Sequence, residues 1–259
     1  GTITETVTQA EIDAAQALIN NVTDPEKKAA LQADLNKAQS QLDAKTVQAE
    51  AESKAREAVN NLFTNKDPNG TITGTMTQAE IDAAQALINK VTDPAKKAAL
   101  QADLNKAQSQ LDTKVAQAEA ESKAREAVNN LFTNKDPNGT ITGTMTQAEI
   151  DAAQALINKV TDPAKKAALQ ADLNKAQSQL DAKVAQAEAE SKAREAVNNL
   201  FTNKDPNGTI TGTMTQAEID AAQTLINNVT DPEKKAALQA DLNKAQSQLD
   251  AKTVQAEAE

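Results

Sequence analysis

The sequence predicts an all-α fold, a series of three-helix bundles joined end to end by long shared helices. Two observations lead to this prediction. The same segment recurs every 69 residues, as Phe63, Phe132 and Phe201 illustrate. Within each copy, apolar residues repeat at helical spacings and lie between residues that start helices. A repeat of this length is typical of a small helical domain.

The first helix of a copy is predicted at Ser122–Phe132. Its apolar residues fall at positions i, i+3, i+4, i+7 and i+8, which places them on one helical face. They are Ala124, Ala127, Val128, Leu131 and Phe132.

The second helix is predicted to begin at a capping box. Thr146 and Glu149 have the spacing at which a hydroxyl and a carboxylate each satisfy a free backbone amide. Met145 and Ile150 occupy the two positions of a hydrophobic staple around this start. The buried stripe of the helix is then predicted to contain Ile150, Ala153, Ile157 and Val160.

The third helix is predicted to begin at Asp162-Pro163, because Asp is a strong N-cap and Pro suits the first helical position. Beyond Leu180 no Gly, Pro or turn cluster follows until Phe201. We therefore predict that the third helix of one copy continues into the first helix of the next. Residues 163–201 would form one helix of about 58 Å. The alternative is a kink at residues 187–191, where the apolar periodicity is weakest.

These predictions divide the chain into modules. Helices one and three of a module would run parallel and helix two would return between them, an elongated arrangement similar in principle to spectrin repeats. Residues 1–52 would contain a second and a third helix without a first, and should be the least stable part. Complete three-helix modules are predicted at residues 53–121, 122–190 and 191–259.

Composition argues against an enzyme. The chain contains no His, Cys, Trp or Tyr, which removes the commonest general acid–base and metal-ligand side chains. We predict no catalytic, cofactor-binding or metal-binding residues and no cofactor. A net charge of −10 argues against a nucleic-acid partner, and no apolar run reaches the ~20 residues that span a membrane.

The loop at residues 134–141 is a candidate calcium site. Asn134, Asp136 and Asn138 followed by Gly139 resemble the start of an EF-hand loop, but Met145 stands where that loop needs a bidentate Glu. The other interpretation is a type I turn with Asp136 first and Gly139 last. We favour the turn.

A charged run on the shared helix is a candidate binding patch. It comprises Glu188, Glu190, Lys192, Arg194 and Glu195. Such runs are more often solvated helix faces with weak pairs between residues four apart. We interpret this run in that way.

Two weaker patterns complete the candidates. Asn69, Asn138 and Asn207 each begin an Asn-Gly-Thr sequence, which matches the N-glycosylation pattern, but we interpret them as turn residues. The carboxylates Glu149 and Asp151 lack neighbours that would perturb a pKa, so they do not indicate catalysis.

The segments AREAVNNLFT, TQAEIDAAQALINKV and KKAALQADLNKAQSQL resemble a helical module repeated in cell-wall-anchored surface proteins of Gram-positive bacteria. They are more distantly similar to helical modules in the protoxin region of insecticidal crystal proteins, which have an AVNALFT segment. The resemblance covers the whole chain. It implies spacers between an anchor and a distal adhesive domain, and no functional residues can be transferred.

Two functions remain open. The first is a non-catalytic stalk of an extracellular, cell-wall-attached protein, whose modules contact neighbouring modules of the same chain. The second is a helical binding module for a host protein, which would need an exposed apolar or aromatic patch. We favour the stalk, and expect a monomer without nucleic-acid or membrane partners.

Overall fold

The computed structural model describes residues 1–257, which form eight α-helices and no strand. The predicted all-α fold of sequentially packed helices is confirmed. The contacts divide the chain into two compact units, Gly1–Ala118 and a second that begins at Glu119. The helices are α1 (Gln9–Asn20), α2 (Pro25–Asn61), α3 (Gln78–Asn89), α4 (Pro94–Asn130), α5 (Gln147–Asn158), α6 (Pro163–Asn199), α7 (Gln216–Asn227) and α8 (Pro232–Glu257).

The helices begin where the capping residues predict. At the start of α5, the backbone N–H of Thr146 donates to Glu149 Oε2 at 2.7 Å, and the capping box is present. At the start of α6, Asp162 accepts from the backbone N–H of Lys165 at 2.9 Å, and Pro163 is the first helical residue. Local side-chain chemistry therefore determines both helix starts.

In the second unit, hydrogen bonds give the directions of the helices. Gln147 pairs with Gln177, and Gln154 pairs with Gln170, so α5 runs antiparallel to the first half of α6. Along the second half of α6, Glu190 pairs with Lys234 on α8, and Arg194, farther along, pairs with Asp241. Residue numbers rise together along these two helices, which therefore run parallel, with α7 packed against both.

Helix α6 contributes to two separate apolar cores. Its first half supplies Leu169, Leu173, Ala176 and Leu180 to a core completed by α5 and by residues from Ala124 to Phe132. Its second half supplies Ala193 and Val197 to a core completed by α7 and α8. The predicted continuity of the shared helix is confirmed, and the alternative kink at residues 187–191 is wrong.

The first unit repeats this pattern around one well-covered core. Ala55 and Val59 on α2 pack with α3 and with α4 residues as far as Leu111. In residues 1–52 only Ile12 and Ile19 fall in the buried class. The module boundaries at 53, 122 and 191 stay predictions, and the last two residues of the module at 191–259 lie outside the described residues.

The shared helix ends two residues earlier than predicted. Helix α6 stops at Asn199, and Phe201 has extended backbone angles and forms an antiparallel bridge with Ile210. Thr202 N–H donates to Thr209 O at 2.8 Å, and Thr211 N–H donates to Leu200 O at 2.9 Å. The prediction placed Phe201 in the helix because this residue fits the helical periodicity. It is wrong because the loop that follows folds back, and its backbone forms hydrogen bonds with Leu200 and Thr202.

Candidate functional site: a polar clasp on the shared helix

The shared helix α6 has a long stretch between its two cores. Within α6, all of which the structure describes, no buried side chain lies between Leu180 and Ala193. Val184 in this stretch is 48% exposed. No fully buried side chain therefore anchors the middle of the helix in an apolar core.

Four polar side chains form contacts in this stretch, and we call them the clasp. In the second unit the clasp consists of Gln186 and Glu190 on α6, with Thr230 and Lys234 at the start of α8. Gln186 Nε2 donates to Glu190 Oε1 at 2.8 Å, and Lys234 Nζ donates to Glu190 Oε2 at 2.5 Å. Gln186 Oε1 accepts from the backbone N–H of Thr230 at 3.1 Å and also from its hydroxyl. Each member is bonded to another, so the clasp fastens helices together.

The first unit has the same arrangement at the equivalent positions. Lys96 Nζ donates to Glu52 Oε2 at 2.5 Å, and Gln48 Nε2 donates to Glu52 Oε1 at 3.0 Å. Thr92 Oγ1 donates to Gln48 Oε1 at 2.5 Å. The clasp therefore occurs once in each unit, at positions that are equivalent in the repeat.

The charged residues of the clasp have shifted pKa values. The hydrogen bond from Lys96, followed by that from Gln48, lowers the pKa of Glu52, and the hydrogen bond to Glu52 raises the pKa of Lys96. The corresponding bonds lower the pKa of Glu190 and raise the pKa of Lys234. Both shifts favour the charged pair near neutral pH. Lys165, bonded to Glu121 at 2.5 Å, likewise has a raised pKa.

A second ion pair lies farther along the same helices. Arg194 Nη1 donates to Asp241 Oδ2 at 2.8 Å, and Lys244 pairs with the same carboxylate at 3.0 Å. Arg125 and Asp172 form the equivalent pair at 2.9 Å. The clasp and this pair fix the rotational setting of the first helix against the third.

The candidate calcium loop folds as the predicted turn. Gly139 N–H donates to Asp136 O at 2.8 Å, and Asn138 N–H donates to Asp136 Oδ1 at 3.0 Å. Asn134, together with the following Lys135, has a left-handed backbone with φ of 57°. Among the described residues no cluster of three or more acidic side chains could hold a metal.

The loop is anchored by a side chain that sequence analysis did not single out. Gln179 on α6 accepts from the backbone N–H of Ile141 at 3.0 Å and donates to Gly139 O at 3.1 Å. Ile141 is partly buried against the core, and Lys183 donates to Gly143 O. The turn residues Asn69, Asn138 and Asn207 lie in these anchored loops, at the Asp-Pro-Asn-Gly turns.

The structure divides the charged run at residues 188–195. Glu188 and Lys192 pair at 3.6 Å along the exposed face, as predicted for a solvated helix. Glu195 is exposed. Glu190 and Arg194 instead face α8, in the clasp and in the second ion pair.

The two carboxylates near the start of α5 have structural contacts. Glu149 completes the capping box with Thr146. Asp151 Oδ1 accepts from Gln147 Nε2 at 3.0 Å. Both interactions lie within one turn of the helix start.

Sequence analysis missed the clasp because its members are far apart along the chain. Glu190 and Lys234 are separated by 44 residues, as are Glu52 and Lys96. The only available signal was that opposite charges recur at this separation in each copy. This recurrence can be interpreted as a set of ion pairs only once the first and third helices are known to run parallel.

The repeats match a known family along most of the chain. The matching family is described as pesticidal crystal protein Cry1Aa, domain IV, and it matches residues 1–44, 50–113, 119–182 and 188–251. The chain belongs to this family. The last three matched segments begin 69 residues apart, as the repeat does, and the first segment is shorter. Neither the curated proteins nor the solved structures contain a match to the chain.

No helix formed by residues 1–257 is long and apolar enough to cross a bilayer.

Proposed function

We propose that the chain is a non-catalytic spacer in the stalk of a bacterial surface protein, holding a distal adhesive domain away from the cell wall. The observation that carries this proposal is helix α6, one unbroken helix that enters two successive cores. A helix of this length spans about 55 Å. The cell-surface setting rests on the resemblance of the repeated segments.

The clasp supports a spacer because of where it acts. It braces α6 at Gln186 and Glu190, in the stretch without buried side chains. A hinge at this place would let successive modules bend freely. A spacer needs stiffness there, and helical linkers rich in Ala, Glu and Lys are already semi-rigid.

The near-identity of the copies also supports a spacer. The three copies that follow residue 52 bury the same residue types at the same repeat positions, as Leu100, Leu169 and Leu238 illustrate with 1% exposure each. Function would then come from the number of modules and not from a unique site. Arrays of this kind derive stability from neighbouring repeats.

The alternative is a helical module that recognises a host protein. It is favoured by a groove of about 600 Å³ between α2 and the end of α3, lined by Ala44, Val47, Ala51 and Leu87 among others. Interface anchors are usually aromatic or Arg side chains. Among residues 1–257, the large apolar side chains that are exposed are Leu and Val. The exposed apolar surface therefore offers no aromatic anchor of the usual kind.

A replacement experiment separates the two functions. The chain is displayed on a cell between a cell-wall anchor and a terminal epitope. The measurement is how well a bulky antibody binds the epitope, which we call epitope access. Deleting residues 122–190, one repeat length, should reduce access in the spacer hypothesis. An unrelated rigid helical spacer of equal length should restore it.

The binding hypothesis predicts a different pattern. Host-protein capture would fall with each deleted module and would not return with an unrelated spacer. Loss of capture without any loss of epitope access would contradict the spacer proposal. Val47→Asp tests the groove directly and should leave epitope access unchanged.

A further inference from the structure

The three copies that follow residue 52 each contain one asparagine that precedes a glycine. These are Asn69, Asn138 and Asn207, and no other Asn in the sequence is followed by Gly. All three residues are exposed, within Asp-Pro-Asn-Gly turns. The backbone nitrogen after each of them belongs to a residue without a Cβ, so no side chain blocks its approach to the asparagine amide.

An Asn-Gly pair is able to modify itself with water as the only co-reactant. The backbone nitrogen of Gly139 loses its proton to solvent and bonds to Cγ of Asn138. The Cγ–Nδ2 bond breaks, and Nδ2 takes up a proton and leaves as ammonia. The product is a five-membered succinimide ring. Water then adds to one of its two carbonyl carbons and breaks the bond to the ring nitrogen, which leaves aspartate or isoaspartate at position 138.

The folded turn keeps the two reacting atoms apart. Gly139 N–H donates to Asp136 O at 2.8 Å, so Asn138 is the third residue of the turn. In a type I turn this residue has ψ of about 0°, which directs the following nitrogen away from the side chain. Ring closure needs that nitrogen and Cγ on the same side. The turn must therefore open before Asn138 reacts.

Gln179 on α6 fastens the turn in its closed form. It donates to Gly139 O at 3.1 Å and accepts from Ile141 N–H at 3.0 Å. Gln110 and Gln248 form the same two bonds in the other copies. Opening the loop breaks both bonds to this glutamine, so the glutamine controls how often the loop is open.

A neighbouring lysine does not compete with the backbone nitrogen. Lys175 Nζ lies 3.4 Å from Asn138 Oδ1 and 3.1 Å from Asp172 Oδ1. In an ion pair with a carboxylate the lysine is an ammonium ion, which has no lone pair to attack Cγ. The nitrogen of Gly139 is therefore the group that reacts.

We propose that the asparagine of each Asn-Gly pair is a self-modification site guarded by the glutamine that holds its loop closed. Asn138 is guarded by Gln179. The corresponding pairs are Asn69 with Gln110 and Asn207 with Gln248. Each site deamidates in proportion to the time that its loop spends open. The repeat thereby acquires a permanent chemical record of loop opening, whether or not the chain is a spacer.

Modification should loosen the loop that carries it. Isoaspartate at position 138 adds a methylene to the main chain between Asp136 and Gly139, the two residues that close the turn. The nearby N–H of Thr142 donates to Leu131 O at 2.9 Å. Its hydrogen exchange should be faster in chains modified at this site than in unmodified chains.

Peptide mass spectrometry of the aged full chain tests the proposal. The chain is kept in mildly alkaline buffer, and aspartate and isoaspartate are quantified at each asparagine over time. The three Asn-Gly sites should react, whereas Asn134, which is exposed in the same loop but precedes Lys135, should stay an amide. Denaturation in guanidinium chloride should accelerate the three sites by roughly tenfold or more, because the turn is then lost.

Substituting one glutamine should change the rate in one copy alone. Gln179→Ala should raise the rate at Asn138 roughly tenfold, because opening no longer breaks two hydrogen bonds. Asn69 in the same molecule is the internal control and should keep its rate. Gln110→Ala, the matched variant, should accelerate Asn69 and leave Asn138 unchanged. Gln179→Glu keeps the acceptor for Ile141 N–H but loses the donor, so its rate should be intermediate.

Three results would overturn the proposal. The first is an equal rate at Asn138 in the folded and the denatured chain. The second is a Gln179→Ala chain in which the rate at Asn138 is unchanged, or in which all three sites accelerate equally. The third is a stable crosslink between residues 138 and 175 with loss of ammonia, since this would make Lys175 the nucleophile.

Discussion

Residues 1–52 and the complete module that contains α5 have nearly the same second and third helices but differ in burial. Both keep the capping box and the glutamine pairs, with Gln9 bonded to Gln39 and Gln147 bonded to Gln177. Their apolar faces differ, since Leu31 is 45% and Leu169 is 1% exposed. Caps and polar pairs thus arise locally. Burial of the core comes from the neighbouring shared helix.

Truncating these two leucines should change stability by very different amounts. Leu169→Ala should lower the free energy of unfolding by about 2–5 kcal/mol, because it leaves a cavity in a closed core. Leu31→Ala should cost less than about 1 kcal/mol, since its side chain is half in water. Urea denaturation followed by circular dichroism gives both values. Equal losses would mean that the first helix does not close the core.

A smaller effect is expected in the loop that complete modules have after the first helix. Lys135 has φ of 57°, a left-handed conformation that is unfavourable for a residue with a Cβ. Lys135→Gly should therefore stabilise the module by about 0.5–1 kcal/mol, after the entropic cost of glycine.

Lys135→Ala is the matched control for this prediction. It removes the same long side chain but keeps the left-handed strain, so it should not stabilise the module. Thermal unfolding of the two variants compares them. A Lys135→Gly protein that is less stable than Lys135→Ala would show that the strain is absent or that the side chain matters.

The smallest effect concerns pH and the clasp. The lowered pKa of Glu190 gives stability that is present above its ordinary value of 4.5 and lost as pH falls through the lower folded value. The raised pKa of Lys234 gives stability that is present below 10.5 and lost as pH rises through the higher folded value. The ion pair of Glu190 with Lys234 therefore contributes its full stability between pH 4.5 and pH 10.5. This contribution is lost in strong acid and in strong base.

Glu190→Gln removes the charged pair at nearly constant size. Its melting temperature should fall slightly below that of the parent at pH 7, and the difference should vanish in strong acid. Exposed pairs of this kind contribute little, so the change should be smaller than that of Leu169→Ala. A constant difference from pH 7 down to strong acid would contradict the assigned role of the carboxylate.

Much of the fold could be predicted from sequence because its signals are local. Thr146 with Glu149, and Asp162 with Pro163, start helices through contacts within one turn. Continuity of α6 follows from the lack of any residue that stops a helix. The helical periodicity extends to Phe201, since periodicity alone cannot detect the loop that returns to pair with this residue. The clasp depends on parallel helices and residues 44 positions apart, so its partners could not be assigned.

The spacer proposal depends on α6 being one stiff helix between two cores. The chain has no Cys, so spin labels can be placed at Ala168→Cys and Glu195→Cys, both exposed on α6. Pulsed electron resonance should give one narrow distance distribution near 40 Å, set by the helical rise over the intervening residues. Ala187→Pro provides the broken-helix reference. A broad or shorter distribution in the parent chain, like that of the proline variant, would contradict the account.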